Sequence, residues 1–183
     1  MFIQTEATPN PASRKFLPGK TVLAGGARDF PSAEAAKTSP LATRIFAVEG
    51  VVGVYLGTDF VTVSKADDQD WQVVKPQVLA AIMEHYTSGD PVLASGEARD
   101  SGIEEGDSEV VRQIKELLET RVRPAVAQDG GDIIYSDFRD GVVYLTMRGS
   151  CSGCPSSTAT LKQGIETMMR HYIPEVQAVQ AVQ

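Results

Sequence analysis

The sequence predicts an α+β protein: two small α+β domains joined by a flexible acidic linker, the second running αββα(β) with a Cys-x-x-Cys loop. Three observations predict this. Paired strand-like stretches alternate with stretches of helical apolar period in each half. Residues 90–107, DPVLASGEARDSGIEEGD, combine Gly, Ser and Pro with acid and carry little apolar periodicity, which is linker composition. At 183 residues the chain suits one large domain or two small ones. The expected division is 1–89, linker 90–107, and 108–183.

The first half opens with two extended stretches, FIQTEA and RKFLP, around Pro9-Asn10-Pro11, where each proline turns its predecessor away from helix. A hairpin is expected there. Leu41, Ile45 and Val48 then share a helical face, between Ser39-Pro40 at the start and Gly50 at the end. VVGVYL and FVTVSK flank Gly57-Thr58-Asp59 as a second hairpin. Val74, Val78 and Ile82 recur every fourth residue in a helix closing near Gly89. Nothing in this half sets a nucleophile beside a base or clusters metal ligands.

In the second half Ser108 reads as an N-cap, with Glu109 favourable in the first turn. Val110, Ile114, Leu117, Leu118 and Val122 form an apolar stripe, Pro124 should kink or tighten the end, and Asp129-Gly130-Gly131 should stop the helix. DIIYSDF and VVYLTMR pair across Arg139-Asp140-Gly141, with Val143, Leu145 and Met147 as one buried face. A last helix runs from near Pro155 to before Pro174 with Leu161, Ile165, Met168 and Tyr172 on one face, and EVQAVQAV can add a strand.

Composition excludes several functions. The chain is 42% hydrophobic and 22% charged, and has no apolar run long enough to span a bilayer. A net charge of −7 repels a phosphate backbone, so neither nucleic acid nor membrane is an expected partner. Much of the acidity lies in residues 96–107, which hold five acidic groups and one basic. MFIQTEATPNP lacks a basic or Arg-rich leader, and two cysteines cannot build a disulfide framework, so a reducing cytoplasm is expected.

The chemistry sits in GSCSGCPSS, Gly149 to Ser157, which contains both cysteines of the chain, Cys151 and Cys154. A loop leaving a strand and entering a helix exposes N–H groups that favour thiolate. Pro155 suits the first helical position, Gly153 permits a tight turn, and Arg148 can add positive charge; each feature should lower cysteine pKa. A Ser- and Gly-rich loop offers no apolar wall, which weighs against two thiols that merely pack. A thioredoxin-like redox pair is the rival, although there the motif comes early and here 29 residues follow Cys154.

A zinc or iron–sulfur site generally takes four protein ligands. His171 lies far along the last helix, about 24 Å from the loop at 1.5 Å per residue. His85 belongs to the other domain and reads as solvated or partly packed. Asp67, Asp68 and Asp70 read as a solvated turn rather than a hard-cation site. Two copies of the loop would supply four thiolates.

These residues resemble a known family, the Nfu-type iron–sulfur proteins related to the C-terminal domain of NifU. The likeness lies in DGGDIIY (Asp129–Tyr135), RGSCSGCPSSTATLKQGIE (Arg148–Glu166) and YIPEV (Tyr172–Val176), and, for the two-domain form, in MFIQTEATPNP with KFLPG. It implies a 4Fe-4S cluster bridged between two subunits, a 2Fe-2S cluster remaining open, held by Cys151 and Cys154 of each. It also implies transfer to apo iron–sulfur proteins, with upstream assembly proteins as donors. The expected mechanism, with no internal ligand to lock the cluster in, is ligand exchange with a recipient's thiolates and not enzymatic turnover. Gly149, Gly153 and Pro155 match loop-shaping positions. Met1 directly at the N-terminal domain favours a bacterial cytoplasmic member. A thiol–disulfide oxidoreductase and a zinc-bridged dimer are the alternatives.

Other patterns carry less. PGKT, Pro18–Thr21, ends like a phosphate-binding loop, but Arg14 stands where that loop needs glycine. Trp71 and Tyr86 read as core or rim residues of their helix. Asn10 lacks the hydroxyl residue a glycosylation site requires.

Overall fold

The computed structural model describes residues 1–24, 26–94, 105–151 and 155–182, and at 155–158 the backbone alone. Both units are α+β. The chain divides into two compact units, Met1–Arg99 and Asp100–Gln183.

In the first unit, β1 (Gln4–Ala7) and β2 (Ser13–Leu17) form the expected antiparallel hairpin. Its turn is held by Asn10, whose Oδ1 accepts from Ala12 N and whose carbonyl accepts from Ser13 N, the local bonding that makes Asn a turn residue. β3 (Arg28–Phe30), a 3-10 turn (Ala35–Thr38) and α1 (Pro40–Phe46) follow, then β4 (Val51–Leu56), β5 (Val61–Lys65) and α2 (Trp71–Ser88). The sheet order is β1-β2-β5-β4-β3, antiparallel throughout.

Alternation along the strands puts Phe16, Val61, Val63, Val54, Leu56 and Phe30 on one face. There they meet Leu41, Ile45, Val74, Val78 and Ile82 from the helices. Each such side chain, fully buried, contributes about 1.5–3 kcal/mol. β3 and the 3-10 turn had no sequence signal: three residues are too few for a period, and pairing with β4 defines the strand.

Asp90–Ala94, inside the stretch of linker composition, are tied to this first unit. Ser39 Oγ donates to Val92 O, Ala94 N donates to Thr38 O, and Arg44 bonds Asp90 at 2.9 Å. Two expectations for α2 need correction or refinement. His85 is neither solvated nor partly packed but fully buried, because position 85 continues the Val78–Ile82 stripe. Asp70 is the N-cap of α2, its carboxylate accepting from Gln72 N at 2.9 Å.

The second unit opens with α3 (Glu109–Leu117), N-capped by Ser108, whose hydroxyl accepts from Val111 N. Lys115 bonds Asp107 at 2.8 Å and lies over the Tyr135 ring. A π-helical turn, Leu118–Val122, then leads into α4 (Arg123–Gln128). The helix therefore widens before Pro124 instead of tightening. Proline cannot donate to the carbonyl of Thr120, and a wider turn relieves the clash of its ring. The π turn also serves packing: Ile114, Leu118, Val122 and Val126 are spaced by four, which overshoots an α-helical turn by about 40° each time, yet all four are buried.

β6 (Gly131–Arg139) and β7 (Val142–Gly149) pair antiparallel across Asp140 (φ 52°) and Gly141 (φ 77°), both in the left-handed conformation that a two-residue hairpin turn needs. α5 (Pro155–Tyr172) crosses back so that β8 (Ala178–Val182) can lie parallel to β7. The buried face of α5 is Ile165 and Met169, continued by Ile173 just past its end, with Met168 only half-buried and Tyr172 exposed. The expected stripe was thus one residue out at its lower end.

Candidate metal centre

The loop that leaves β7 is stitched to the turn that enters β6. Ser150 N donates to Gly130 O at 3.2 Å, and Ser150 Oγ donates to Asp129 O at 2.6 Å. Gly130, at φ 77°, takes the left-handed conformation that ends α4 and turns the chain toward β6. Cys151 is thereby carried against the first residues of β6.

Its sulfur fits closely there. A Cβ built on Gly131 would overlap the Cys151 Sγ and lie 3.0 Å from Ser150 Oγ. Gly131 does not have a left-handed φ, so the sulfur, not the backbone, excludes a side chain. The backbone of Asp132 and the hydroxyl of Ser150 both favour the charged form of the Cys151 sulfur. The Ser150 hydroxyl has one proton, so it donates to the Asp129 carbonyl or to sulfur, not to both.

An ion pair stands behind this seat. Arg123 Nε and Nη2 donate to Asp132 Oδ1 and Oδ2, each at 2.8 Å, and its Nη1 meets Glu119. Asp132 Oδ1 also accepts from Ile133 N at 2.9 Å. Burial alone would lower the Arg123 pKa, but the hydrogen bonds and charge of Asp132, with Glu119, raise it above its ordinary value.

Cys151 is 8% exposed and packs in the core of this unit with Ile133, Ile165 and their neighbours. Both loop expectations about its surroundings are corrected by that packing: an apolar wall is present, and the thiol pKa is pushed up to about 11, not down. Burial is the main cause, the Asp132 and Asp129 carboxylates add to it, and the bonds from Ser150 and the Asp132 backbone oppose it. At neutral pH the uncomplexed thiol keeps its proton, which a soft metal displaces on binding. A nucleophilic redox cysteine needs the opposite shift.

Cys154 and Gly153 lie outside the described residues; Pro155 begins α5, and Gly149 (φ 63°) ends β7. Arg148 is the ladder partner of Asp132. His171 is exposed, and His85 belongs to the first unit. Among the described residues no group of three or more His, Cys, Asp or Glu is placed to hold a metal, and no helix is long and apolar enough to cross a membrane. PGKT starts no helix, and Lys20 Nζ lies over the Tyr86 ring.

Sequence reasoning missed Arg123, Gly131, Asp132 and Ser150 as parts of the site. One signal was available. A helix stop needs a single glycine, and the second of Gly130-Gly131 had no task until the sulfur was placed against it.

Both halves of the chain match known protein families. Residues 3–89 match the family described as "Scaffold protein Nfu/NifU N terminal", and residues 114–180 match the "NifU-like domain". The chain is 54% identical over 98% of its length to "NifU-like protein 4, mitochondrial" of Arabidopsis thaliana, covering 65% of that protein. It is likewise 54% identical over 98% of its length to "NifU-like protein 5, mitochondrial" of the same plant, covering 67%. To "NFU1 iron-sulfur cluster scaffold homolog, mitochondrial" of Drosophila erecta it is 53% identical over its full length, covering 65%. The chain therefore spans about two thirds of the length of these relatives. The mitochondrial names of these relatives contradict the bacterial, cytoplasmic expectation, which rested on the start of the sequence and on its two cysteines. With both halves matched, the chain belongs to the Nfu/NifU-like family.

Proposed function

We propose that this protein is an iron–sulfur cluster scaffold and carrier, in which Cys151 and Cys154 of two copies hold one shared 4Fe-4S cluster and release it to apo-proteins. The observation that carries the reading is a shortage. A cluster takes four sulfurs, and the whole chain has two cysteines. A second copy supplies the other pair. The scaffold names of the relatives and the close backbone seat of Cys151 support it.

The cluster is cargo in this reading. A site completed only by two loops has no further ligand of its own to retain the iron, so incoming thiolates of a recipient can displace these sulfurs one at a time. That is ligand exchange without turnover. The first unit, which places no metal-ligand cluster among its described residues, is assigned to recognising recipients and upstream donors.

Native mass spectrometry of the anaerobically reconstituted chain, with iron and acid-labile sulfide assayed together, tests the reading. A dimer heavier by one four-iron, four-sulfide unit is expected, and Cys151→Ser or Cys154→Ser should each abolish it. A bare monomer that cycles between dithiol and disulfide would overturn the proposal in favour of redox chemistry. A colourless zinc-bridged dimer would overturn it in favour of a structural role. Removing the first unit should slow transfer to at least one recipient; unchanged transfer to all would remove the recognition assignment.

A further inference from the structure

The Arg123–Asp132 pair is a costly way to stabilise a core, since two charges withdrawn from water do little better than two well-packed apolar side chains. Its position suggests another task. Asp132 is fixed at three points: two donors of one guanidinium on its two oxygens, and the Ile133 amide on Oδ1. Its neighbour Gly131 meets the Cys151 sulfur so closely that no Cβ fits between them.

We propose that Arg123 is a positioning residue for the cluster: by clamping the Asp132 carboxylate in a two-pronged ion pair, it fixes the backbone of Gly131 and Asp132 as the seat of the Cys151 sulfur. The inference rests on the proposed function for one point alone, that Cys151 ligates iron. Contacts just outside the ligands of a metal orient those ligands and tune a cluster and its retention. Arg123 acts through Asp132. Lysine could keep the positive charge but not the fork.

The test compares Arg123→Lys and Gly131→Ala with wild type and with Arg139→Lys. Arg139 is an exposed partner of Asp137 at the far end of β6 and serves as a control. Each full-length protein is reconstituted anaerobically. Cluster half-life against an iron chelator, resonance Raman bands of the Fe–S(Cys) bonds, and melting of the metal-free protein are then measured. Arg123→Lys and Gly131→Ala should shorten the half-life on the order of 10-fold and shift the Fe–S(Cys) bands, while Arg139→Lys changes neither. Wild-type half-life and bands in Arg123→Lys would overturn the proposal, whatever happened to its melting temperature. Gly131→Ala keeps the question decidable if Arg123→Lys does not fold.

A readout in the metal-free protein separates this inference from the function it builds on. If wild type itself took up no cluster, the proposed function would fail, and the rate at which Cys151 of the metal-free protein is alkylated, read by peptide mapping, would still judge the seat. Cys151, buried in wild type, should react slowly there and faster in both Gly131→Ala and Arg123→Lys. Equal rates in all three would overturn the seat.

Discussion

Both units bury an ionisable side chain, and they treat it in opposite ways. His85, on α2 of the first unit, is fully buried with neither ring nitrogen hydrogen-bonded among the described residues. Burial first, then the Arg44 charge, lowers its pKa, with Asp90 opposing. Asp132 in the second unit is buried with every carboxylate oxygen engaged and an arginine across from it. The first unit tolerates a titratable ring as a neutral core residue, packed edge-on against Tyr86. The second retains a full charge and builds around it.

The largest expected effect breaks that contrast at its charged end. Arg123→Met leaves Asp132 buried without its cation and should destabilise the second unit by about 3–5 kcal/mol, read as a shifted urea midpoint of one of two transitions. Adding Asp132→Leu should recover much of that loss. A single substitution costing under about 1 kcal/mol would mean that the pair behaves as a surface one.

The neutral end is probed by pH. The folded pKa of His85 lies below the ordinary 6.5, so the unfolded chain takes up the proton first. The stability this confers is fully present above that ordinary value and is lost as pH falls toward the folded pKa. His85→Leu should flatten this slope in the first unit and, by removing unpartnered ring nitrogens, cost nothing or gain about 1–2 kcal/mol. A wild-type midpoint unchanged between pH 7.5 and 5.5, the window bracketing that ordinary pKa, would contradict a neutral His85.

The smallest effects compare two helix caps. Ser39 accepts from Ala42 N and also donates to Val92 O, whereas the described bond of the Ser108 hydroxyl is the one from Val111 N. Ser39→Ala should cost about 1–2 kcal/mol and Ser108→Ala about 0.5–1 kcal/mol. Thermal melting of each variant checks the order, and a larger loss at Ser108 would reverse it.

Period and punctuation made most of this fold legible. Leu41-Ile45-Val48 and Val74-Val78-Ile82 are buried as their spacing requires, and the Asp140-Gly141 turn follows from residues that accept a left-handed backbone. What stayed hidden was tertiary in origin. β3 exists because β4 pairs with it. Met169 replaces Met168 in the core because the chain must continue through Ile173 and Val176 into β8. In the candidate site, Cys151 could be proposed from residue type and spacing. Its supporting arginine could not, because the nine positions from Arg123 to Asp132 span a helix end and a turn that no sequence period connects.

The π turn at Leu118–Val122 has one more consequence, for how the second unit comes apart. Its wide ring, followed by a proline that cannot donate, makes it the weakest link in the backbone ladder of its helix, and local opening enters such segments first. Arg123 is the next residue. Opening there would free the guanidinium while β6, β7 and α5 stay folded, so the lifetime of the sulfur seat would follow a sub-global fluctuation, not global unfolding. Native-state hydrogen exchange should then find the amides of Val122 and Arg123 opening ahead of those of β7. Exchange of all of them at one common rate would show that the seat lasts as long as the whole unit.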